Sequence, residues 1–431
     1  MKALFFCLVW PEPSSSAAGV RLDYLIRLFI REGFELHLSS TAEHGPYSAL
    51  YEDLDGVYRH NLDPNSSEIR AKLAQINPDV IVFDRYPTEE QFSWHVMEAC
   101  PKAIRILDTE DLHGLRRARQ LTLEELENKG GLTHLYVAEH EIKPTSVYNT
   151  IALREMVSMH RSDLSLVVSD VELSYAQKYY GIPINQLMYL PILSSRLFEP
   201  FEPFEPFGPL NNDMSTNACF IGNFKHIPNR DAVHFLRYQL WPHINKALSG
   251  QGDANSECHI YGAYMDAKME RLHNPSIGFH MKGRVDDVYS TMAGYGVLLA
   301  PLRFGAGVKG KILDAISMEL PVVTTPTGSE GLSVHLDGVD FPGYVAKTVE
   351  EFKQSAVKCL STSAQNRWNF PDHKKLVQRL DTEYGNAFIA QVNNLIEGKN
   401  GIQNPIKLML EQNSQLAHRY LSKYIQLKNE V

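Results

Sequence analysis

Three glycines and two lysines fall within seven consecutive residues: Gly305, Gly307, Lys309, Gly310 and Lys311. Glycine permits tight turns and leaves amide N–H groups bare, and the pattern predicts a helix beginning at about Lys311. Amide donors, the positive end of a helix dipole and two ammonium groups then converge on one point, which suits a phosphate. Asp314 follows Lys311 by three residues, on the same helix face. Aspartate is a poor helix-interior residue, so its place one turn in predicts a task such as bonding sugar hydroxyls. Pro321 is expected to stop the helix, and Val322–Thr325 to form a buried strand of a parallel sheet. A second glycine loop, Gly328-Ser-Glu330-Gly-Leu332, comes next. Glycines alone would also suit an ordinary strand–loop–helix unit. The lysines, the acid and the second loop separate the two readings.

Positioning such a loop requires a parallel sheet, and the chain reads as two of them. Residues 3–9 predict a buried strand, 11–19 a loop of small residues, 22–31 an amphipathic helix, and 34–40 a second strand. This βαβ opening predicts a doubly wound α/β domain. Gly19 closes a loop at the carboxyl end of the first strand, where such sheets bind ligands. No GxGxxG is present, so a dinucleotide site is not expected. Further helices are predicted at 67–76, 89–100 and 151–161, and strands at 78–83, 103–107, 164–169 and 187–191. The strand at 103–107 runs into Asp108-Thr-Glu-Asp111-Leu-His113. Asp108 or Asp111 could simply cap a helix starting near Gly114. Asp111 and His113 also have the look of a metal pair, but no third ligand is apparent, so no metal is expected. Arg116, Arg117 and Arg119 could serve an anionic acceptor or lie on a solvated face.

The second half opens with EPFEPFEPF at 199–207. A proline at every third position excludes helix and predicts a stiff connection. The expected domains are therefore 1–198, a Pro-rich linker 199–216, a second Rossmann-like domain 217–397 and a helical tail 398–431. Strands are expected at 218–222, 259–262, 278–281 and 297–301, and polar helices after Gly343. Ile406, Leu410, Leu416, Tyr420, Tyr424 and Leu427 form a stripe at near-helical spacing that reads as core, with at most peripheral membrane contact.

Several classes are excluded by composition. At 431 residues, two domains are expected. A net charge of -9 argues against a nucleic-acid binder. Five scattered cysteines without a CxxC pair predict neither disulfides nor a zinc site. No apolar run spans a membrane, and the short one at the N-terminus reads as a strand in preference to a signal peptide. Cytoplasmic residence is the expectation.

The segment 301–332 resembles the C-terminal half of nucleotide-sugar glycosyltransferases of the two-domain GT-B fold, in particular glycosyltransferase family 4. The resemblance covers about residues 1–390 and is strong for 218–332. It implies two Rossmann-like domains facing a cleft, C-terminal helices, and transfer of a hexosyl group with retention from a nucleotide diphosphate sugar to an unknown acceptor. It implies no cofactor and no metal. By resemblance, Gly305, Gly307, Lys309 and Lys311 hold the diphosphate, Asp314 the ribose, and the backbone at Gly283, Arg284 and Val285 the base. Gly19, Asn223 and Lys225 would contact the donor, and Asp111 and His113 the donor sugar. Many family members carry two glutamates eight apart across this loop. Here the second is Asp314 and the first is missing, which leaves its role unfilled or moved to Glu330. A sugar-nucleotide epimerase and a catalytically degenerate binding protein are the alternatives.

Overall fold

The computed structural model describes all residues except 15, 50, 52–53, 132, 194–215, 251–255, 362–367, 399–403 and 430–431, and the side chains of 413–419, 422, 426 and 429. The chain divides into two units. Unit 1 comprises Met1–His113, Thr150–Glu199 and Val377–Val431; unit 2 comprises Gly114–Asn149 and Pro200–Leu376. Neither is a single run of chain, unlike the consecutive segments expected from sequence. Side-chain contacts of 114–149 and of the last helices, described below, account for the difference. The EPFEPFEPF segment lies outside the described residues.

Unit 1 is built on a seven-stranded parallel sheet. Its strands are β1 (Lys2–Cys7), β2 (Glu35–Ser40), β3 (Val57–His60), β4 (Val80–Asp84), β5 (Ile104–Asp108), β6 (Leu164–Val167) and β7 (Leu187–Tyr189). The order β3-β2-β1-β4-β5-β6-β7 reverses direction between β1 and β4, as in a doubly wound sheet. Apolar runs such as those of β1 and β4 are buried almost throughout because helices cover both faces. Strand β3, Val-Tyr-Arg-His, is half exposed at the sheet edge and gives no apolar run to read.

The first helix spans Ala17–Arg31 and starts five residues before the expected Leu22. Ser16 Oγ accepts from the Gly19 amide at 3.1 Å, a side-chain N-cap. Gly19 thus lies in the helix's first turn and its amide is already engaged. A Cβ there would stand 2.2 Å from the Glu12 carbonyl oxygen, so this close approach requires glycine.

The last helices, Asn386–Glu397 and Pro405–Asn429, belong to unit 1. Tyr24 donates to Asp381 Oδ1 at 2.6 Å, and Arg31 pairs with the other oxygen at 2.6 Å. Arg105 pairs with Glu411 at 2.6 Å, and Lys407 pairs with Asp163. The predicted apolar stripe is corrected: Ile406, Tyr420, Tyr424 and Leu427 are exposed and Leu410 is half-buried, while the Leu416 side chain lies outside the described residues. Tyr24→Phe, which keeps the ring and removes the charged hydrogen bond, is expected to cost about 1.5–3 kcal/mol in urea denaturation.

Unit 2 carries a six-stranded parallel sheet of order β10-β9-β8-β11-β12-β13. The strands are β8 (Ala218–Ile221), β9 (Cys258–Tyr261), β10 (Phe279–Gly283), β11 (Val297–Ala300), β12 (Val322–Thr324) and β13 (Gly343–Val345). Strand β13 replaces the start of the polar helical region expected after Gly343. One face buries Trp241, Phe220, Phe279, Ile244 and Phe352, among others, at about 1.5–3 kcal/mol for each large side chain. All five cysteines are free thiols. Among the described residues no helix is long and apolar enough to cross a membrane.

Candidate functional site

Strand β11 ends at Ala300, and the chain loops through 301–309 into a helix, Gly310–Ser317. Gly307 takes a φ of 65° and Gly305 one of 158°, the conformations the glycines were expected to supply. The helix begins one residue before the expected Lys311. It ends at Ser317, ahead of Pro321, where Glu319 turns to a φ of 54°. Lys309 occupies the N-cap position without a side-chain cap bond, and its ammonium donates to the Gly307 carbonyl at 2.5 Å. Lys311 is buried. Its Nζ donates to Asn229 Oδ1 at 2.5 Å and stands 4.7 Å from the Phe220 ring centroid. Burial, then the neighbouring Lys309 charge, lowers its pKa to about 7, against the pull of Asp314. Asp314 accepts from the Tyr289 hydroxyl at 3.1 Å. Two cations and a helix N-terminus are therefore packed together, with Asp314 close enough to act on Lys311.

Asn229 sets this arrangement. Its Oδ1 receives Lys311, while its Nδ2 donates to the Asn223 carbonyl at 2.8 Å. The turn after β8 and the helix after β11 are thereby joined through one amide. Lys225 lies exposed on the same turn, 3.6 Å from the Tyr264 ring centroid, and Arg230 pairs with Asp266 at 2.8 Å. The strand ends beside it close on glycine: Gly222 N donates to Tyr261 O at 3.1 Å and Gly262 N to Gly283 O at 2.8 Å. A Cβ on Gly262 would lie 1.8 Å from the Gly222 carbonyl oxygen. Sequence reading missed Gly262 and the role of Asn229; the signal for Gly262 was a third glycine directly after a strand. Arg284 is exposed and paired with Asp286, and Val285 is half-buried beside it.

Glu330 follows a short turn, Pro326–Ser329, inside the second glycine loop. It receives Arg119 through both oxygens, at 2.6 and 2.7 Å. Arg119 also donates to the Gly305 carbonyl at 2.8 Å. Arg303 pairs with Asp231 and with Glu127. These bonds tie 114–149 to the loops of unit 2. They correct the expectation for Arg119, which is 4% exposed and committed to Glu330 in place of an acceptor or solvent.

In unit 1, His113 Nε2 lies 3.1 Å from Asp111 Oδ1, and the Tyr86 ring meets the imidazole edge-on at 5.6 Å. Glu110, at φ 64°, brings a third ligand-type oxygen within 4.8 Å of these two, where sequence reading found no third group. The expected caps are also corrected. Asp108 instead pairs with the buried Arg21 at 2.8 Å, and Glu172 and Glu155 accept the amides of Leu112 and His113 at 2.7 and 2.8 Å.

Residues 215–362 match the family model described as Glycosyl transferases group 1. Solved structures similar to the chain share its fold. Anabaena HepE in complex with UDP and glucose is 14% identical with a TM-score of 0.58, over 91% of this chain and 99% of that one. Sucrose-phosphate synthase from Thermosynechococcus elongatus is 11% identical, TM-score 0.56, over 92% and 100%. A glycosyltransferase from Rickettsia africae is 12% identical, TM-score 0.55, over 98% and 98%. The chain therefore has the GT-B fold, with one parallel α/β sheet in each unit. No curated protein sequence matches it.

Proposed function

We propose that this protein is a glycosyltransferase that moves a hexosyl group from a nucleotide diphosphate sugar to an acceptor, with retention at the anomeric carbon and without an essential metal. The observation that carries the reading is the loop 301–309 with Lys309 and Lys311 gathered at the start of the Gly310–Ser317 helix. Bond breaking puts negative charge on the departing diphosphate while the sugar carbon becomes oxocarbenium-like. Fixed amide dipoles and ammonium groups stabilise that charge more as it grows, which lowers the barrier. Asp314 is proposed for the ribose hydroxyls, Gly283–Val285 for the base, and His113 with Asp111 for sugar hydroxyls. Asn223, Lys225 and Gly19 are further proposed donor contacts. The UDP held by HepE supports a uridine nucleotide as the first donor to try.

Lys309→Ala is expected to lower turnover by about tenfold or more, since one cation facing the diphosphate is lost; wild-type turnover in that variant would remove Lys309 from the mechanism. The reading as a whole is tested by calorimetry with UDP-, GDP- and ADP-sugars, and it fails if none binds at millimolar concentration. NMR of the product's anomeric proton tests retention, and turnover in excess chelator tests metal independence.

A second reading, a binding protein without turnover, is favoured by one observation. The first loop acid is missing, and Glu330, which might have replaced it, is held by Arg119. Such a protein binds donor and releases neither transferred sugar, free sugar nor an isomer. An epimerase would instead convert donor alone to its isomer.

A further inference from the structure

The face of β9 and β10 opposite the Trp241 core carries a cluster with no part in the proposed transfer. His259 and His280 are register partners on adjacent parallel strands, so their side chains emerge side by side. Glu257 precedes His259 by two residues and therefore shares its face. A carboxylate oxygen of Glu257 and a ring nitrogen of each histidine all lie within 4.8 Å of one another. His259 Nε2 is 2.7 Å from Glu257 Oε2. His280 Nε2 is shielded from water and lies 3.3 Å from Glu257 Oε1, yet makes no hydrogen bond. A shielded imidazole nitrogen without a partner is costly unless something else occupies it.

We propose that Glu257, His259 and His280 form a binding site for one divalent transition-metal ion of the zinc class.

Two imidazoles and a carboxylate are the ligand set that zinc accepts, with a fourth position left to water. Bonds of about 2.0–2.2 Å to such an ion require ligand atoms roughly 3.4 Å apart, so a small side-chain rotation closes the present spacing. The outer shell is in place. His259 Nδ1 lies 2.7 Å from the Tyr295 hydroxyl, which lies 2.6 Å from that of Tyr261. Without an ion, Nε2–H donates to Glu257 Oε2 and Nδ1 accepts from the Tyr295 hydroxyl; an ion would take the place of the Nε2 proton, leaving Nδ1–H to donate to Tyr295, the arrangement that orients a metal-bound histidine. Lys282 repels a metal ion; the Glu257 carboxylate offsets that charge. His273, near His280, accepts the Met281 amide through Nδ1 and stays outside the ligand set. The cluster lies on the strand bodies. His280 is three residues, about 10 Å, before Gly283, so an ion here would staple the edge strand β10 to β9 without touching the diphosphate loop.

The test titrates Zn²⁺ into chelator-stripped protein by calorimetry, with no nucleotide sugar present, so the result is independent of the proposed transfer. One equivalent is expected to bind with micromolar or tighter affinity, with Mg²⁺ failing to compete. Glu257→Gln, His259→Gln and His280→Gln are each expected to weaken it by at least the roughly 10–100-fold that losing an outer-shell partner costs. Glu257 is 41% exposed, so its variant keeps the fold and tests the site even where a histidine variant fails. No stoichiometric uptake, or uptake unchanged in Glu257→Gln, would overturn the site.

Discussion

Lys311→Met is expected to stabilise the protein at pH 6 while lowering turnover by about 100- to 1,000-fold. Both effects follow from burying an ammonium group whose proposed partner is the donor diphosphate. In the folded chain Lys311 has its pKa lowered from 10.5 to about 7. Between those values the unfolded chain binds a proton that the native state lacks, so stability rises with pH across the window. Below about pH 7 both states are charged and the fold carries the full desolvation cost, on the order of 5 kcal/mol. Methionine keeps the aliphatic volume beside Phe220 and removes that cost. Urea denaturation at pH 6 and pH 9 should show the variant gaining most at pH 6. Without ligand, the wild type should be more stable at pH 9 than the pH dependence of the variant would predict. On the proposed function, the catalytic loss follows because the same charge would face the leaving diphosphate. As the free enzyme loses that proton, wild-type kcat/KM should fall as pH rises through about 7. A Lys311→Met protein that turns over at the wild-type rate would remove Lys311 from the phosphate site.

Arg119→Ala should be the most destabilising of the single substitutions considered, by about 3–5 kcal/mol. The guanidinium satisfies both oxygens of Glu330 and the Gly305 carbonyl at once. Truncation leaves a carboxylate that is only 19% exposed without its partner. Lysine does not restore the two-pronged contact, so Arg119→Lys should recover little. Arg119→Ala combined with Glu330→Ala should be less harmful than the sum of the two single changes, because the second removes the stranded charge. Guanidinium denaturation reads these differences. An unshifted midpoint in Arg119→Ala would show that 114–149 is held to unit 2 by other means.

The α/β class was legible because buried parallel strands are short apolar runs and their helices are amphipathic, both local signals. The glycine loop was legible for the same reason: Gly305 to Asp314 act within ten consecutive residues. The edge strand Val57–His60 was not, since half its residues face water and leave no apolar run. Segment 114–149 was opaque because Arg119 and Glu127 are explained by Glu330 and Arg303, 211 and 176 residues away. Asn229 has no legible role until Lys311 is seen to reach it from another strand's helix. Gly19 was placed in a loop because the capping role of Ser16 depends on backbone geometry that composition does not reveal.

The interrupted division of the chain bears on how it is made. At roughly 5–20 residues per second, Arg119 leaves the ribosome about 10–40 s before Glu330 is synthesised. Tyr24 waits longer still for Asp381, 357 residues downstream. Each body thus stays open, with a buried-type cation or a sheet-covering helix unmatched, until its own last segment is made, Leu376 for unit 2 and the final helices for unit 1. Premature termination before Glu330 should therefore leave both bodies unfinished, whereas termination between Leu376 and the final helices should spare unit 2 alone.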